Sequence, residues 1–328
     1  MPAPYQLAGK PILVTGATGF VGTRLCAELL ARGVAVRALV RRPGAIAART
    51  GLETIIVDDL ATTDIDPQWM AGADALIHLA GFAHRFDGDP GADTDSIRRI
   101  NVEATAALAH AAAQAGVRRF VYASSIKVNG EDSGETEYRA GDAPRPEDEY
   151  GRSKLAAESA LRRIAGEAGM ETVIVRPPLV YGPGVKANFL RLLALVDQGL
   201  PLPLANVHNR RSLIHVGNLA DALIACASRA AAAGKTYLVA DGEDLSTPQL
   251  IRRIAAALGR TARLFPFPVT LLRVAARALG RGGEIRRLTG NLVLDCGPIR
   301  AEIGWAPPVS VDRGLSETAA WYHSRAPA

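Results

Sequence analysis

Short apolar runs alternate with helix-periodic, alanine-rich stretches along much of the chain. The strand-like runs fall at 11–15, 34–40, 54–57, 75–79, 119–123, 172–175 and 236–240, with helical stretches such as 101–115 and 153–168 between them. Strands taking turns with helices predict an α/β fold, a doubly wound parallel sheet covered by helices on both faces. Residues 130–146 are polar, acidic and rich in Gly and Pro, and so are expected to form a loop. Past Gly182 the rhythm changes, and Pro201, Pro203, Pro266 and Pro268 break shorter elements. The expected division is a sheet domain over 1–181 and 212–242, with a smaller C-terminal lobe over 182–211 and 243–328.

Two motifs give this frame a chemistry. The first apolar run ends at Thr15, and Gly16, Gly19 and Gly22 follow, with Thr18, Phe20 and Val21 among them. Glycine at those places permits a tight turn, close approach of backbone to a pyrophosphate, and close helix packing. The anion would sit on the first amides of the helix that begins near Phe20. The sheet domain is therefore expected to bind a dinucleotide, which leaves the lobe for substrate. The second motif is Tyr150 and Lys154, which share a helix face at i and i+4. A free phenol has a pKa near ~10, and lowering it by ~3 units takes roughly 4 kcal/mol, which a partly desolvated lysine can supply. Such pairs are commonplace on helix surfaces. This one gains weight from the glycine loop and from Ser124-Ser125 upstream.

Composition narrows the function classes. The chain has 328 residues, 48% of them hydrophobic, enough for a sizeable core. It carries a net charge of +5 and a pI near 9.3. Its arginine pairs are dispersed, and only 5% of residues are aromatic, which argues against nucleic acid. A basic chain still attracts anionic substrates. Cys26, Cys226 and Cys296 form no metal-binding pattern and fit a reducing cytosol, with the first two expected in the core. There is no leader-like start and no run of about 18 uncharged apolar residues, so a cytoplasmic protein without a membrane span is expected. The stretch Leu271 to Ile285 carries Arg273, Arg277 and Arg281 at helical spacing and reads as an ordinary packed helix, with contact at a membrane interface as the alternative.

The motifs as a set are Gly16-x-x-Gly19-x-x-Gly22, His78-Leu79-Ala80-Gly81, Asn101-Val102, Ser124-Ser125, Tyr150-x-x-x-Lys154, Arg176-Pro177, Tyr181-Gly182-Pro183 and Gly304-Trp305-x-Pro307. Over nearly the whole chain they resemble an extended short-chain dehydrogenase/reductase of the NAD(P)-dependent epimerase/dehydratase family. The resemblance implies that Ser125, Tyr150 and Lys154 are the catalytic trio. Ser125 is chosen because Ser125-Ile126-Lys127-Val128-Asn129-Gly130 matches the family's Ser-x-x-Val-Tyr-Gly; Ser124 becomes a neighbour that supports cofactor or loop. Cofactor contacts are implied for Gly16, Thr18, Gly19, Phe20, Val21, Gly22, Asp59, Leu60, Ala80, Gly81, Asn101, Tyr150, Lys154 and Pro177. Asn101 also opens an alanine-rich helix and could serve as its N-cap. Asn188 and Arg211 match positions that bind nucleotide phosphates in relatives, with Arg286 and Arg287 as candidates for a second arginine. Lys127 and Asn129 are unusual in their slots and are expected to face the substrate, Lys127 as a contact beside Ser125. Leu179 stands where relatives often carry Asn. His215 reads as a structural histidine.

Two departures refine the expected reaction. Family 4,6-dehydratases carry Asp-Glu directly after the catalytic Ser/Thr, where this chain has Ile126-Lys127. Neither can exchange protons as a carboxylate pair does. NAD-using relatives place an acid at the end of the second strand, where this chain has Val40 followed by Arg41 and Arg42. A guanidinium suits a 2′-phosphate, so NADP is the expected cofactor, with NAD as the alternative. The leading expectation is an NADPH-dependent 4-ketoreductase acting at C4 of a UDP-linked hexose, among enzymes of polysaccharide and O-antigen sugar synthesis. The alternative is a UDP-hexose 4-epimerase with bound NAD. Retention of all three catalytic residues speaks against a third option, a non-catalytic NADP-sensing module. Homodimers are common in the family, and one is expected here.

Overall fold

The computed structural model describes residues 9–82 and 94–325. β1 (Ile12–Thr15) leads through the glycine turn into α1 (Phe20–Ala31). Three more strands follow: β2 (Val36–Val40), β3 (Leu52–Ile56) and β4 (Ala75–His78). Beyond them α2 (Thr94–Arg98) continues through a π-helical turn, Arg99–Glu103, into α3 (Ala104–Gln114). β5 (Arg119–Ala123), α4 (Glu149–Ala168) and β6 (Glu171–Arg176) complete the central units. Then come β7 (Leu179–Tyr181), α5 (Ala187–Asp197), β8 (Leu213–His215), α6 (Val216–Ser228) and β9 (Thr236–Leu238). Five helices close the chain: α7 (Thr247–Ala257), α8 (Val269–Ala278), α9 (Gly282–Thr289), α10 (Gly297–Ile303) and α11 (Val311–Arg325).

Seven strands form one parallel sheet in the order β3-β2-β1-β4-β5-β6-β9, a Rossmann-type α/β arrangement. β7 and β8 make a separate parallel pair. The expected strand runs match these seven within a few residues. Central parallel strands are covered on both faces, so they are written as unbroken apolar runs and are easy to read. β1 and β4 are buried at every position, whereas the edge strand β3 is mostly exposed.

One face of the sheet packs on α1 and α6, where Leu25, Cys26 and Leu29 join Leu219, Leu223 and Cys226. The other packs on α3 and α4 through Leu108, Ala112, Leu161 and Ile164, with Phe120 and Tyr122 beneath them. Cys26 and Cys226 are thus core residues, as expected. A third cluster unites Phe189 and Leu193 of α5, Ile251 and Ile254 of α7, and Leu315 of α11 around Tyr181.

Helix α8 departs from the ordinary packed helix expected of it. Only Val269, Leu272 and Ala276 are turned inward, while Leu271, Val274 and Leu279 are 56%, 63% and 74% exposed. The stretch holds more apolar residues than one packing seam can cover, and helical period puts the surplus on the outer face.

Candidate active site

The site lies at the carboxyl ends of β1, β4, β5 and β6, around the point where strand order reverses between β1 and β4. Ligands of open parallel sheets bind at such switch points. Gly16 has φ 68°, and a Cβ there would stand 2.7 Å from the Ala80 amide nitrogen. At Gly22 a Cβ would stand 2.1 Å from the Gly16 carbonyl oxygen. Both glycines are therefore demanded by backbone-to-backbone approach. Gly19 caps α1 with no side-chain cap and no acid in the first turn, so no side chain competes with an anion for the first helix amides. Thr18 is exposed at the tip of the turn, and Phe20 and Val21 are partly buried. Phe20 reaches toward Gly184, where a Cβ would meet its ring at 3.3 Å, and joins the third cluster.

Beside this turn His78 is held between Thr15 and Thr105, at 2.6 and 3.0 Å, and stacks on Tyr122. Burial, and then the charge of Lys154, push its pKa down to about 3, so the ring is neutral. The Ala80 amide donates to the Thr15 hydroxyl at 3.3 Å. A Cβ on Gly81 would stand 3.2 Å from both Lys154 Nζ and Asn101 Oδ1. Asn101 does not open the helix as a cap. It sits inside the π turn, accepts from the Phe82 amide at 2.7 Å, and donates to the Phe82 carbonyl and the Ser153 hydroxyl. It thereby ties Phe82, the residue after Gly81, to α4.

Arg41 and Arg42 leave the end of β2 exposed and without an acidic partner among the described residues. Asp59 follows the end of neighbouring β3, where its carboxylate accepts from the Ala61 amide at 3.0 Å, and Leu60 is partly buried beside it.

Ser125, Tyr150 and Lys154 converge. Ser125 caps the short 3₁₀ turn Ile126–Val128, accepting from the Lys127 amide at 3.3 Å, and its hydroxyl lies near enough to the Tyr150 phenol to favour the ionised form. The turn is pinned by the Ile126 amide donating to the carbonyl of buried Pro177 at 3.0 Å. Lys154 is 3% exposed; Nζ donates to the Ala123 carbonyl at 3.0 Å and lies 5.8 Å from the Tyr150 ring centre. The electrostatics differ from the expectation that Lys154 lowers Tyr150. Burial and the nearby Asp148 carboxylate push the phenol up to about 12, with the nearby Ser125 hydroxyl opposing. Burial pulls Lys154 itself down to about 8, opposed by Glu158. Desolvation of both charged forms outweighs their mutual attraction.

Ser124 is buried and turned toward α4. Its hydroxyl donates to Glu158 Oε1 at 2.6 Å, and Glu158 takes two bonds from Arg176, at 2.8 and 2.6 Å. This buried pair underlies the trio and escaped the sequence reading. Its one signal was Glu158 standing four residues after Lys154 on the same helix face.

Lys127 is engaged by the carboxylates of Glu131, at 2.8 Å, and Asp148. The expected substrate contact is thus already met by two acids that the fold brings to it. Asn129 is buried, donating to the Arg139 carbonyl and accepting from Arg176.

On the lobe side Asn188 is the second residue of α5, next to Ala187, whose φ of 53° is unusual for a residue with a Cβ. Leu179 is 44% exposed at the start of β7. Arg211 is partly buried and donates to the Gly290 carbonyl at 3.0 Å. Burial lowers its pKa, Asp132 and Glu131 oppose, and Arg287 adds to the lowering. Arg287 therefore shares this region, and its Nε is buried with no hydrogen-bond partner among the described residues. Its neighbour Arg286 is already paired, with Glu147 at 2.6 Å and with Glu131 at 3.2 Å, the acid that also acts on Arg211. His215 is fully buried and caps α6 through Nδ1, with burial pushing its pKa down to about 4.

Comparison with known proteins agrees with this geometry. Residues 12–240 match the NAD dependent epimerase/dehydratase family. The chain is 38% identical over 313 residues to a UDP-glucose 4-epimerase of Vibrio cholerae, covering 94% of each. It is 28% identical over 344 residues to a 3-beta-hydroxysteroid dehydrogenase of Mycolicibacterium neoaurum, covering 95% of this chain and 91% of that one. Among solved structures it resembles MoeE5 in complex with UDP-glucuronic acid and NAD, with TM-score 0.76 and 26% identity over 96% of this chain and 100% of that one. The UDP-glucuronic acid 4-epimerase of Bacillus cereus in complex with NAD shares the fold, with TM-score 0.78 and 21% identity over 96% of each chain. The chain belongs to the NAD-dependent epimerase/dehydratase family, as an enzyme of the extended short-chain dehydrogenase/reductase type.

Proposed function

We propose that this enzyme is a nucleotide-sugar 4-epimerase acting on a UDP-linked hexose. The observation that carries this reading is its likeness to the Vibrio cholerae UDP-glucose 4-epimerase over 94% of both chains. The site residues fit a dinucleotide: an uncapped helix start behind Gly19, exposed Arg41 and Arg42 at the adenosine end, and a buried ammonium on Lys154. A bound nicotinamide would supply the redox chemistry at C4, hydride leaving one face of the sugar and, once the 4-ketone has turned over, returning to the other. Tyr150 would accept the proton of the C4 hydroxyl and give it back, while Ser125 hydrogen-bonds the same oxygen. Lys154 would hold the nicotinamide ribose through the protons not given to Ala123.

Arg211 and Arg287 would bind the diphosphate, with Asn188 beside them; a buried, unpartnered guanidinium nitrogen is a donor waiting for such an anion. This pair of charges favours a nucleotide sugar over a neutral steroid, although steroid dehydrogenases are also similar in sequence. Elimination of water is not supported, because Ile126 is buried and Lys127 is committed to carboxylates. In this reading 1–181 and 212–242 hold the cofactor, 182–211 and 243–328 hold the sugar nucleotide, and the enzyme works as a cytoplasmic homodimer.

A second reading, an NADPH-dependent 4-ketoreductase, is favoured by Arg41 and Arg42, which suit a 2′-phosphate. Denaturing the purified protein and identifying the released nucleotide separates the two, together with assays of UDP-sugars with and without NADPH. Retained NAD with interconversion of UDP-glucose and UDP-galactose, or of their N-acetyl forms, would support the epimerase. NADP with NADPH-dependent consumption of a 4-keto sugar would support the reductase. Binding of neither nucleotide would sink both.

A further inference from the structure

The outer face of α8 combines exposed apolar side chains with uncompensated positive charge. Leu271, Val274, Ala275 and Ala278 recur at i, i+3, i+4 and i+7, so they form one stripe along the side away from Val269, Leu272 and Ala276. Leu271, Val274 and Leu279 are 56%, 63% and 74% exposed, and Phe265 just upstream is 40% exposed. Within the described residues these four make up half of the eight large hydrophobic side chains that stand so open.

Charge collects in the same place. Residues 260–287 contain seven arginines (260, 263, 273, 277, 281, 286 and 287) and a single acid, Glu284, for a net +6. The whole chain carries +5, so the other 300 residues together carry −1. Some of these arginines are engaged inside the protein: Arg260 with Asp197, Arg286 with Glu147 and Glu131, and Arg273 with Thr289. Arg263, Arg277 and Arg281 are exposed and have no acidic partner among the described residues. Arg273 and Arg277 are spaced by four on α8, which places them along one border of the apolar stripe, and Arg281 follows just past the end of the helix.

We propose that α8, with the Phe265 segment, docks the enzyme on an anionic lipid bilayer. Leu271, Val274 and Leu279 sit at the acyl boundary while Arg277 and Arg281 meet the headgroups, the pattern of a helix lying in the interface. The attachment is peripheral, since no helix among the described residues is long and apolar enough to cross a membrane. A second copy of the chain is the poorer occupant. A two-fold contact through α8 would set one +6 segment against another, and like charges across an interface are costly.

The test is co-sedimentation of the full chain with phosphatidylcholine vesicles and with vesicles of equal parts phosphatidylcholine and phosphatidylglycerol, at low and high salt. The expected result is binding to the anionic vesicles alone, weakened by salt. Arg277→Gln and Arg281→Gln should each reduce that binding about fivefold. The triple change Leu271→Ser, Val274→Ser, Leu279→Ser should abolish it, with the thermal midpoint unchanged as a check on folding. Equal partition onto neutral vesicles, no binding at all, or anionic binding indifferent to both sets of changes would overturn the proposal. So would light scattering that finds an oligomer of the parent chain dissociated by the triple change, which would make the face a contact between copies.

Discussion

The ammonium of Lys127 pairs with the carboxylate of Asp148, the residue that caps the helix carrying Tyr150. Asp148 thus serves two partners, accepting from the Gly151 amide through Oδ1 at 2.7 Å and from Lys127 through Oδ2. Its charge is also one of the causes that raise the Tyr150 pKa, and Lys127 is the cation that offsets it.

Loss of Lys127 should therefore be felt at the phenol. Lys127→Met is expected to move the limb of the kcat/KM profile that reports Tyr150 to higher pH, by about half a unit. The substrate KM should hold, and Lys127→Arg should restore the profile. A raised KM with an unmoved limb would instead make Lys127 a substrate contact.

Tyr150→Phe keeps the ring and removes the proton carrier. Turnover should fall by roughly a hundredfold to ten-thousandfold while bound nucleotide is retained. Lys154→Met should lower turnover and release nucleotide as well. Absorbance of the purified variants near the dinucleotide band, set beside their kcat, checks both.

Arg211→Met and Arg287→Met should each raise the nucleotide-sugar KM by about tenfold or more, the range for hydrogen bonds to charged groups. UMP inhibition should weaken in parallel. Arg286→Met should leave KM nearly unmoved, because its guanidinium is held by Glu147 and Glu131.

Glu158 and Arg176 are 0% and 3% exposed and bonded through both carboxylate oxygens. Glu158→Ala strands a buried guanidinium and should cost about 3–5 kcal/mol in urea unfolding. The double change Glu158→Leu, Arg176→Met should recover much of that loss. If the single variant unfolds at the parent midpoint, the pair is not a buried ion pair in solution.

His78 adds an acid-sensitive element. Burial lowers its folded pKa to about 3, while the unfolded chain binds that proton below about 6.5. The unfolded state therefore takes up more protons as pH drops through this window, and the folded state loses stability, on the order of 5 kcal/mol in all. His78→Gln should flatten the acid limb of a stability-versus-pH curve without abolishing it, because His215 is pushed down to about 4 by the same cause. An unchanged acid limb would mean that His78 titrates normally.

Much of this was written in the sequence where the controlling physics is local. The strands were visible because parallel strands buried on both faces leave unbroken apolar runs. Gly16 and Gly22 were visible because only a missing Cβ lets those backbones meet. Other features depended on partners distant in the chain. Ser124 reads from the sequence as a support for cofactor or loop, and only the fold shows its bond to Glu158 and, through that carboxylate, its link to Arg176. Arg286 and Arg287 are adjacent and chemically identical, yet point about 100° apart on α9, so one meets acids and the other approaches Arg211.

By itself the sequence determined the parallel sheet, the glycine turn and the shared helix face of Tyr150 and Lys154, since period and sterics act over a few residues. Only the tertiary structure decided the sign of the Tyr150 shift, the partners of Lys127 and Ser124, and which side of α8 stays bare. Those outcomes rest on desolvation and Coulomb interaction, which depend on what the fold packs against a group and not on its place along the chain.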